Sequence, residues 1–166
     1  STAPAAGYSF EFFLVLDNTL NAFALPGGYI GVHTGLIVAA QSESEMAGVL
    51  AHEIGHVTQR HIARMLARDR QSSVLMLAAL VLSALAARSN PQAGIGIASL
   101  GTTMYQQQML SFSRDAEREA DRIGFDILRQ GGFDTNGMVG FFGRLQQAGR
   151  LYENNAPEYL RTHPLT

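Results

Sequence analysis

The spacing of hydrophobic residues changes several times along the chain, and each change predicts a different element. The stretch YSFEFFLVLDN, residues 8–18, is rich in aromatic side chains and predicts a strand. Residues 20–37 are largely apolar, but a Pro-Gly-Gly break at 26–28 predicts two further short strands joined by a turn. A short helical turn at 34–39 follows. We therefore expect a small β-sheet near the start of the chain.

A longer helical segment begins after this sheet. Ser42 stands three residues before Glu45, which is the spacing of a capping box at a helix start. The apolar residues that follow recur at approximately helical spacing; they are Met46, Val49, Leu50, Ile54, Val57, Ile62, Met65 and Leu66. The pattern predicts one helix from about residue 43 to about residue 70.

Residues 71–113 carry a single charge, on Arg88. Their first half is apolar, but it is near the short limit for a membrane span, which needs about 20 residues. The sequence SNPQAGIG, residues 89–96, breaks the run, so we predict a helix, a loop and a second helix over 97–113. We favour a lid or membrane-facing flap for this apolar hairpin over a true span. A buried core hairpin is the third interpretation.

Two further helices are predicted near the end of the chain. A charged amphipathic helix covers 114–130 and ends at Gly131, and another covers roughly 136–150. Three short strands followed by helices give an α+β fold that is mainly helical. We expect residues 1–166 to form a single domain.

The amino-acid composition limits the partners and the metal ligands that the chain can have. The 166 residues carry twelve basic and fourteen acidic side chains, a net charge of −2, so we expect no nucleic-acid partner. Because there is no cysteine, any metal must be held by His, Asp or Glu.

The sequence GVLAHEIGHVTQRH, residues 48–61, contains an H-E-x-x-H motif inside the predicted helix. His52 and His56 are four residues apart and therefore share one face, where two imidazoles can bind one metal ion. Glu53 is displaced by about 100° and can reach a water on the metal without binding the metal itself. The alternative is an amphipathic helix with chance histidines, and the position of the motif in a capped helix favours the metal site.

A catalytic zinc takes three protein ligands, so the third must come from elsewhere. His61 is five residues past His56 and half a turn out of phase on a continuous helix, so we expect a surface or packing histidine. We expect the same of His33, beside a strand end.

The acidic segment AEREAD, residues 116–121, offers better candidates. Glu117, Glu119 and Asp121 lie within one turn, and Glu117 shares a face with Asp121. One of these two could bind the metal while the other orients a ligand histidine. Without the histidine motif, the same segment would be read as a solvated face.

Here the sequence resembles a known family. LAHEIGHVTQRH followed by SRDAEREADRIG resembles the M48 zinc metallopeptidases of the gluzincin group, particularly their soluble periplasmic branch. The resemblance implies a zincin-type domain with one zinc per chain and a small sheet whose edge strand flanks the active-site helix. The family motif E-x-x-x-D falls on Glu117 through Asp121, which implies that Glu117 is the third zinc ligand and that Asp121 supports a ligand histidine. Glu119 has no implied role.

The resemblance also implies two further features. An extended substrate would pair with the edge strand, which matches Asn21, Ala22, Phe23, Ala24 and Leu25. By pattern alone this segment is equally a plain core strand. His163, in THPL, would be a displaceable fourth ligand that keeps the enzyme latent, or a donor to the tetrahedral intermediate. The alternative for His163 is a capped loop histidine.

The implied function is a zinc-dependent endopeptidase that cleaves unfolded or misassembled envelope proteins. Glu53 would act as the general base toward a metal-activated water. We expect a periplasmic protein, soluble or peripherally membrane-associated, with a polypeptide substrate and membrane-surface or outer-membrane assembly partners. The resemblance also suggests a C-terminal extension or repeat domain beyond this chain. The alternatives are a zinc-bound, chaperone-like binding module and the soluble part of an integral-membrane protease.

Overall fold

The structure, a computed structural model, describes residues 7–151 and 157–163. The elements in chain order are β1 (Glu11–Val15), β2 (Ala22–Leu25), β3 (Tyr29–His33), α1 (Thr34–Ala39), α2 (Glu43–Thr58), α3 (His61–Ala87), α4 (Pro91–Gln130), α5 (Asn136–Leu151) and α6 (Glu158–Thr162). The chain divides into two compact units: a strand-containing unit within Ser1–Ile62 and Arg114–Thr166, and a hairpin unit of Ala63–Ser113. The single domain over 1–166 stays a prediction.

The strands form the small sheet that the sequence predicts. Their order is β1-β3-β2, with β1 parallel and β2 antiparallel to β3, so that β2 lies at an edge. Ala22 and Val32 face each other in the register and are both buried. They join a core cluster with α1, α2, α5 and α6 that contains Ala22, Val32, Leu36, Val49, Phe141, Leu145 and Tyr159. The edge strand therefore packs against α2, and the predicted α+β class is confirmed.

The predicted continuous helix over 43–70 is wrong. Helix α2 ends at Thr58, and α3 begins at His61. Gln59 caps α2, and Arg60 takes a left-handed conformation with φ 53°. A left-handed residue after the last turn is a common helix ending, but glycine usually fills that position. The sequence has no glycine or proline at this point, and the helical spacing of apolar residues continues past it, so the pattern predicts one helix where the structure has two.

The predicted loop over 89–96 and the predicted break between helices over 97–113 and 114–130 are also wrong, because α4 is one helix of 40 residues that begins at Pro91. The side-chain oxygen of Asn90 accepts hydrogen bonds from the backbone N–H groups of Gln92 (3.0 Å) and Ala93 (3.4 Å). Pro91 occupies the first helical position, where its missing N–H costs nothing. The residues that suggested a loop are thus the start of α4.

The hairpin unit exposes much of its apolar surface. Seven large side chains of α3 are more than half exposed: Leu66, Val74, Leu75, Leu77, Val81, Leu82 and Leu85. Helix α3 is long and apolar enough, by length and composition, to cross a membrane, and only 6% of its apolar window is buried. Such exposure does not fit the core-hairpin interpretation.

Candidate metal centre

Helix α2 carries the H-E-x-x-H residues into the interior. The side chain of Ser42 accepts the N–H of Glu45 at 3.2 Å, so the predicted helix cap is confirmed. Glu45 is itself buried and accepts two hydrogen bonds from Arg144 of α5. About two turns further along α2, His52 is 2% exposed and Glu53 is fully buried. Burial of two ionisable groups side by side is costly, which marks this turn as a functional position.

Two glycines allow α4 to pack closely against this part of α2. A Cβ atom at Gly55 would lie 2.9 Å from the carbonyl oxygen of Ala120. A Cβ atom at Gly124 would lie 2.9 Å from the backbone nitrogen of His52. Because neither glycine has a side chain, the two backbones nearly touch, and this contact places Glu117 and Asp121 beside the histidines.

Four potential ligand side chains meet at this contact. The ligand atoms of His52, His56, Glu117 and His163 all lie within 4.8 Å of one another. The Nε2 atom of His52 is 3.0 Å from Nε2 of His56, 3.3 Å from Oε2 of Glu117 and 3.4 Å from Nδ1 of His163. The structure thus brings together the three predicted ligands and the predicted fourth.

The two predicted acidic residues, Glu117 and Asp121, lie on different sides of the histidines. Glu117 is buried and faces both His52 and His56, with its Oε1 3.5 Å from Nε2 of His56. Asp121 is partly exposed and lies on the far side of the His52 ring, with Oδ1 2.9 Å from Nδ1. A carboxylate on Nδ1 fixes the proton there, so Nε2 presents its lone pair to the cluster.

The donor set fits a metal ion. Carboxylate oxygens and neutral imidazole nitrogens each offer a lone pair, and several such atoms that converge on one point suit a metal cation. Nitrogen and oxygen ligands of this kind are typical of zinc sites. The residues therefore satisfy the chemical requirement that the sequence motif only suggests.

The electrostatics of the cluster favour positive charge. Burial alone would lower the pKa of His52, but Asp121, Glu117 and Glu53 outweigh it and raise the pKa to about 10. Burial alone would raise the pKa of Glu117, but hydrogen bonds from His163, His52 and His56 hold it far below its usual range. The carboxylates around His52 thus favour positive charge on this ring, and the histidines around Glu117 keep its carboxylate ionised.

Glu53 has one oxygen engaged and one available. Oε1 accepts the hydroxyl of Tyr159 at 3.3 Å and lies 3.5 Å from Nε2 of His163. Oε2 is buried, and within residues 7–151 and 157–163 it has no hydrogen-bond partner. Burial and the nearby carboxylates raise the pKa of Tyr159 well above its ordinary value, so its hydroxyl remains a donor. Sequence reasoning missed Tyr159 because nothing in its local pattern distinguishes it from a core aromatic.

The predicted edge strand lies beside this centre, and Asn21 directly precedes β2. The Asn21 carbonyl accepts the N–H of His33 at 3.0 Å, and its buried Oδ1 has no partner among the described residues. Phe23 and Ala24 are half-buried, whereas Ala22 belongs to the core. In the described part of the chain, β2 pairs with β3 alone, so its second edge is available to another strand.

The two remaining histidines, His33 and His61, have different surroundings. His33 lies outside the cluster and pairs with the hydroxyl of Thr19 at 2.8 Å, as expected for a packing histidine. His61 is buried, as a packing histidine would be, but it also contacts a predicted ligand: its Nδ1 lies 2.8 Å from Nδ1 of His56, and its Nε2 lies 3.1 Å from Oε2 of Glu119. The sequence prediction assumes that His61 continues the helix of His56, whereas α2 ends at Thr58 and His61 begins α3.

The fold and the candidate metal centre together indicate the class of protein. An H-E-x-x-H helix, a carboxylate contributed by a second helix and an adjacent edge strand are the features of a zincin-type metallopeptidase domain.

Comparison with known proteins identifies the family. Residues 1–166 match Peptidase family M48. A relative from Vibrio cholerae is 47% identical over 158 residues, and the beta-barrel assembly-enhancing protease of Escherichia coli is 41% identical over 156; each match covers 94% of this chain and 32% of the relative. The mitochondrial metalloendopeptidase OMA1 of Arabidopsis thaliana is 33% identical over 165 residues, 99% of this chain and 31% of the relative. The chain therefore belongs to peptidase family M48, and it spans about a third of the length of these curated relatives.

Membership confirms three predictions: the family, the metallopeptidase class and the dependence on a metal. It leaves the nature of the metal, the role of each site residue and the natural substrate to be inferred from the centre itself.

Proposed function

We propose that the chain is the catalytic part of a zinc-dependent endopeptidase, with one zinc held by His52, His56 and Glu117. The observation that carries the proposal is the convergence of ligand atoms within 4.8 Å beside a buried carboxylate. Asp121 keeps the proton of His52 on Nδ1 and so leaves Nε2 available as a ligand.

The reaction requires a base next to the attacking water. When bound, zinc would polarise the scissile carbonyl and lower the pKa of water. Glu53 takes a proton from the attacking water on Oε2, the oxygen without a described partner, and passes it to the leaving amine. The hydroxyl of Tyr159 holds Oε1 meanwhile, so that the carboxylate keeps one orientation.

The substrate would be an extended polypeptide that pairs with β2. The free edge of this strand supports that proposal, because backbone pairing supplies affinity with little regard to sequence. Asn21, Ala22, Phe23, Ala24 and Leu25 would form the docking strand. Names of relatives that refer to beta-barrel assembly support unfolded or misassembled envelope proteins as substrates, a periplasmic location and outer-membrane assembly partners.

His163 would keep the enzyme latent. Its ring is buried, stacks on Tyr159 with centroids 4.4 Å apart and places Nδ1 3.4 Å from Oε2 of Glu117. A ligand in this position competes with substrate and must move before catalysis. His163→Ala should then raise turnover, whereas a fall would indicate a donor to the tetrahedral intermediate. Unchanged turnover would contradict both roles.

The direct test measures zinc per chain and casein digestion in the full-length protein. Wild type should contain one zinc and digest casein. His52→Ala should lose both, and His33→Ala, a buried histidine outside the cluster, should keep both. Full zinc occupancy in His52→Ala would show that the ligand set is wrong. Zinc without any digestion, unchanged by His163→Ala, would favour a zinc-bound binding module.

The exposed hairpin supports peripheral association with a membrane surface. Flotation with phospholipid vesicles should recover the full-length protein. Leu77→Gln with Leu82→Gln should reduce recovery at least about tenfold, since each change removes apolar area that a bilayer would bury. The matched control is Leu16→Gln with Val38→Gln, two exposed apolar residues outside the hairpin. Equal flotation by both variants would contradict hairpin docking, and resistance to extraction at high salt would support the integral-membrane alternative.

A further inference from the structure

Two residues outside the proposed ligand set form a hydrogen-bonded chain that ends on a proposed zinc ligand. His61 Nδ1 is 2.8 Å from His56 Nδ1, and His61 Nε2 is 3.1 Å from Glu119 Oε2. The rings of His56 and His61 meet edge to face, with centroids 4.9 Å apart. His61 is 4% exposed, so this arrangement lies within the packed interior.

The protons of this chain have one assignment that is compatible with a metal on His56. The Nε2 atom of His56 faces the ligand cluster, 3.0 Å from Nε2 of His52. A neutral imidazole has a single N–H, so a metal on Nε2 places the proton on Nδ1. His61 must then accept that proton's hydrogen bond on Nδ1, which leaves its own N–H on Nε2 to donate to the Glu119 carboxylate. Both short contacts are satisfied at once.

We propose that His61 and Glu119 are positioning residues for His56. They fix the ring orientation and tautomer of this ligand, as Asp121 does for His52, and they thereby raise the affinity for zinc. The inference rests on the proposed zinc site but adds residues that the H-E-x-x-H and E-x-x-x-D motifs do not include. The two ligand histidines are thus held differently, one by a carboxylate directly and the other by an imidazole backed by a carboxylate.

The break between α2 and α3 makes this contact possible. On a continuous helix, position 61 would point about 140° away from position 56. The cap at Gln59 and the left-handed Arg60 instead turn the chain, so that the first residue of α3 places its ring on His56. The competing explanation is that His61 and Glu119 merely tie the start of α3 to α4 without influence on the metal.

Four variants of the full-length protein separate these explanations. His61→Leu removes both polar atoms at similar size, and His61→Asn retains an acceptor near the position of Nδ1. Glu119→Ala removes the carboxylate at the end of the chain. His33→Leu is the matched control, because His33 is also buried and hydrogen-bonded but lies outside the cluster.

The readouts are the zinc dissociation constant, by chelator competition, and the visible spectrum of the cobalt-substituted protein. His61→Leu should weaken zinc binding by about 10- to 100-fold and alter the cobalt bands. His61→Asn should recover most of the affinity, and Glu119→Ala should lose about threefold or more. His33→Leu should leave both readouts unchanged.

Several results would overturn the proposal. Wild-type zinc affinity in His61→Leu would do so, as would equal losses in His61→Asn and His61→Leu. If circular dichroism shows that His61→Leu does not fold, Glu119→Ala against His33→Leu decides by the same criterion. Absence of zinc binding by the wild-type protein would instead refute the proposed function itself, so the two failures are distinguishable.

Discussion

The close packing of α4 on α2 can be tested with a single methyl group at Gly124. In Gly124→Ala the new Cβ would lie 2.9 Å from the nitrogen and 3.0 Å from the Cα of His52, and 3.1 Å from the carbonyl carbon of Ala51. All three atoms belong to the backbone of α2, so no side chain can move aside. The helices would have to separate by roughly 0.5 Å to restore ordinary van der Waals contact.

Two opposing terms set the change in stability. Overpacking of this kind costs about 1–3 kcal/mol. Alanine in place of a helical glycine returns about 0.5–1 kcal/mol. The net expectation is a loss of about 0–2.5 kcal/mol in the free energy of unfolding. The separation also moves Glu117 away from His52 by an amount that binding sites tolerate poorly, so zinc affinity should fall at least about tenfold.

Urea unfolding of the zinc-free protein and chelator competition measure the two effects separately. The control is Gly143→Ala, an exposed helical glycine whose Cβ would meet nothing within 4 Å. This control should be more stable than wild type by about 0.5–1 kcal/mol and should bind zinc normally. The reasoning is refuted if Gly124→Ala matches Gly143→Ala in both stability and zinc affinity.

Three further variants test separate contacts. Arg144→Met removes the cation beside the buried carboxylate of Glu45, which among the described residues retains only the N–H of Gln41 as a donor, and should lower the free energy of unfolding by about 1–2 kcal/mol at pH 7. Because Arg144 lowers the pKa of Glu45, this contribution is present above the ordinary value of 4.5 and is lost as the pH falls below it, so unfolding curves of variant and wild type should converge in acid. Tyr159→Phe removes the donor to Glu53 Oε1 and should lower the free energy of unfolding by about 0.5–1.5 kcal/mol. It should also lower kcat severalfold with little change in KM. An unchanged kcat would contradict the role of the hydroxyl. Asp121→Asn should weaken zinc binding by about 10-fold or more in chelator competition, and wild-type affinity would show that the carboxylate does not hold a ligand.

The parts of the centre that depend on local geometry were predictable from the sequence. Residues four apart on a helix share a face, so the spacing of His52 and His56 is enough to pair them. The same rule put Glu117 and Asp121 on one face but did not say which of them faces the histidines. In the folded protein Glu117 faces both rings and Asp121 lies behind one of them, a difference set by how α4 packs on α2.

The parts that depend on the path of the backbone were not predictable. The prediction for His61 counts its phase along a continuous helix, but α2 ends at Thr58. The left-handed residue at the break is Arg60, and an arginine in this conformation leaves no signature in a single sequence. The start of α4 was misplaced for a related reason, since Asn90 and Pro91 serve equally well in a loop or at a helix start.

The most direct test of the central claim is the zinc content and casein turnover of Glu53→Gln in the full-length protein. Glutamine keeps the shape of the side chain and its contact with Tyr159, but it cannot take a proton from water. We predict one zinc per chain, as in wild type, and loss of nearly all turnover. Normal proteolysis by Glu53→Gln with zinc bound would contradict the assignment of Glu53 as the general base and, with it, the proposed mechanism.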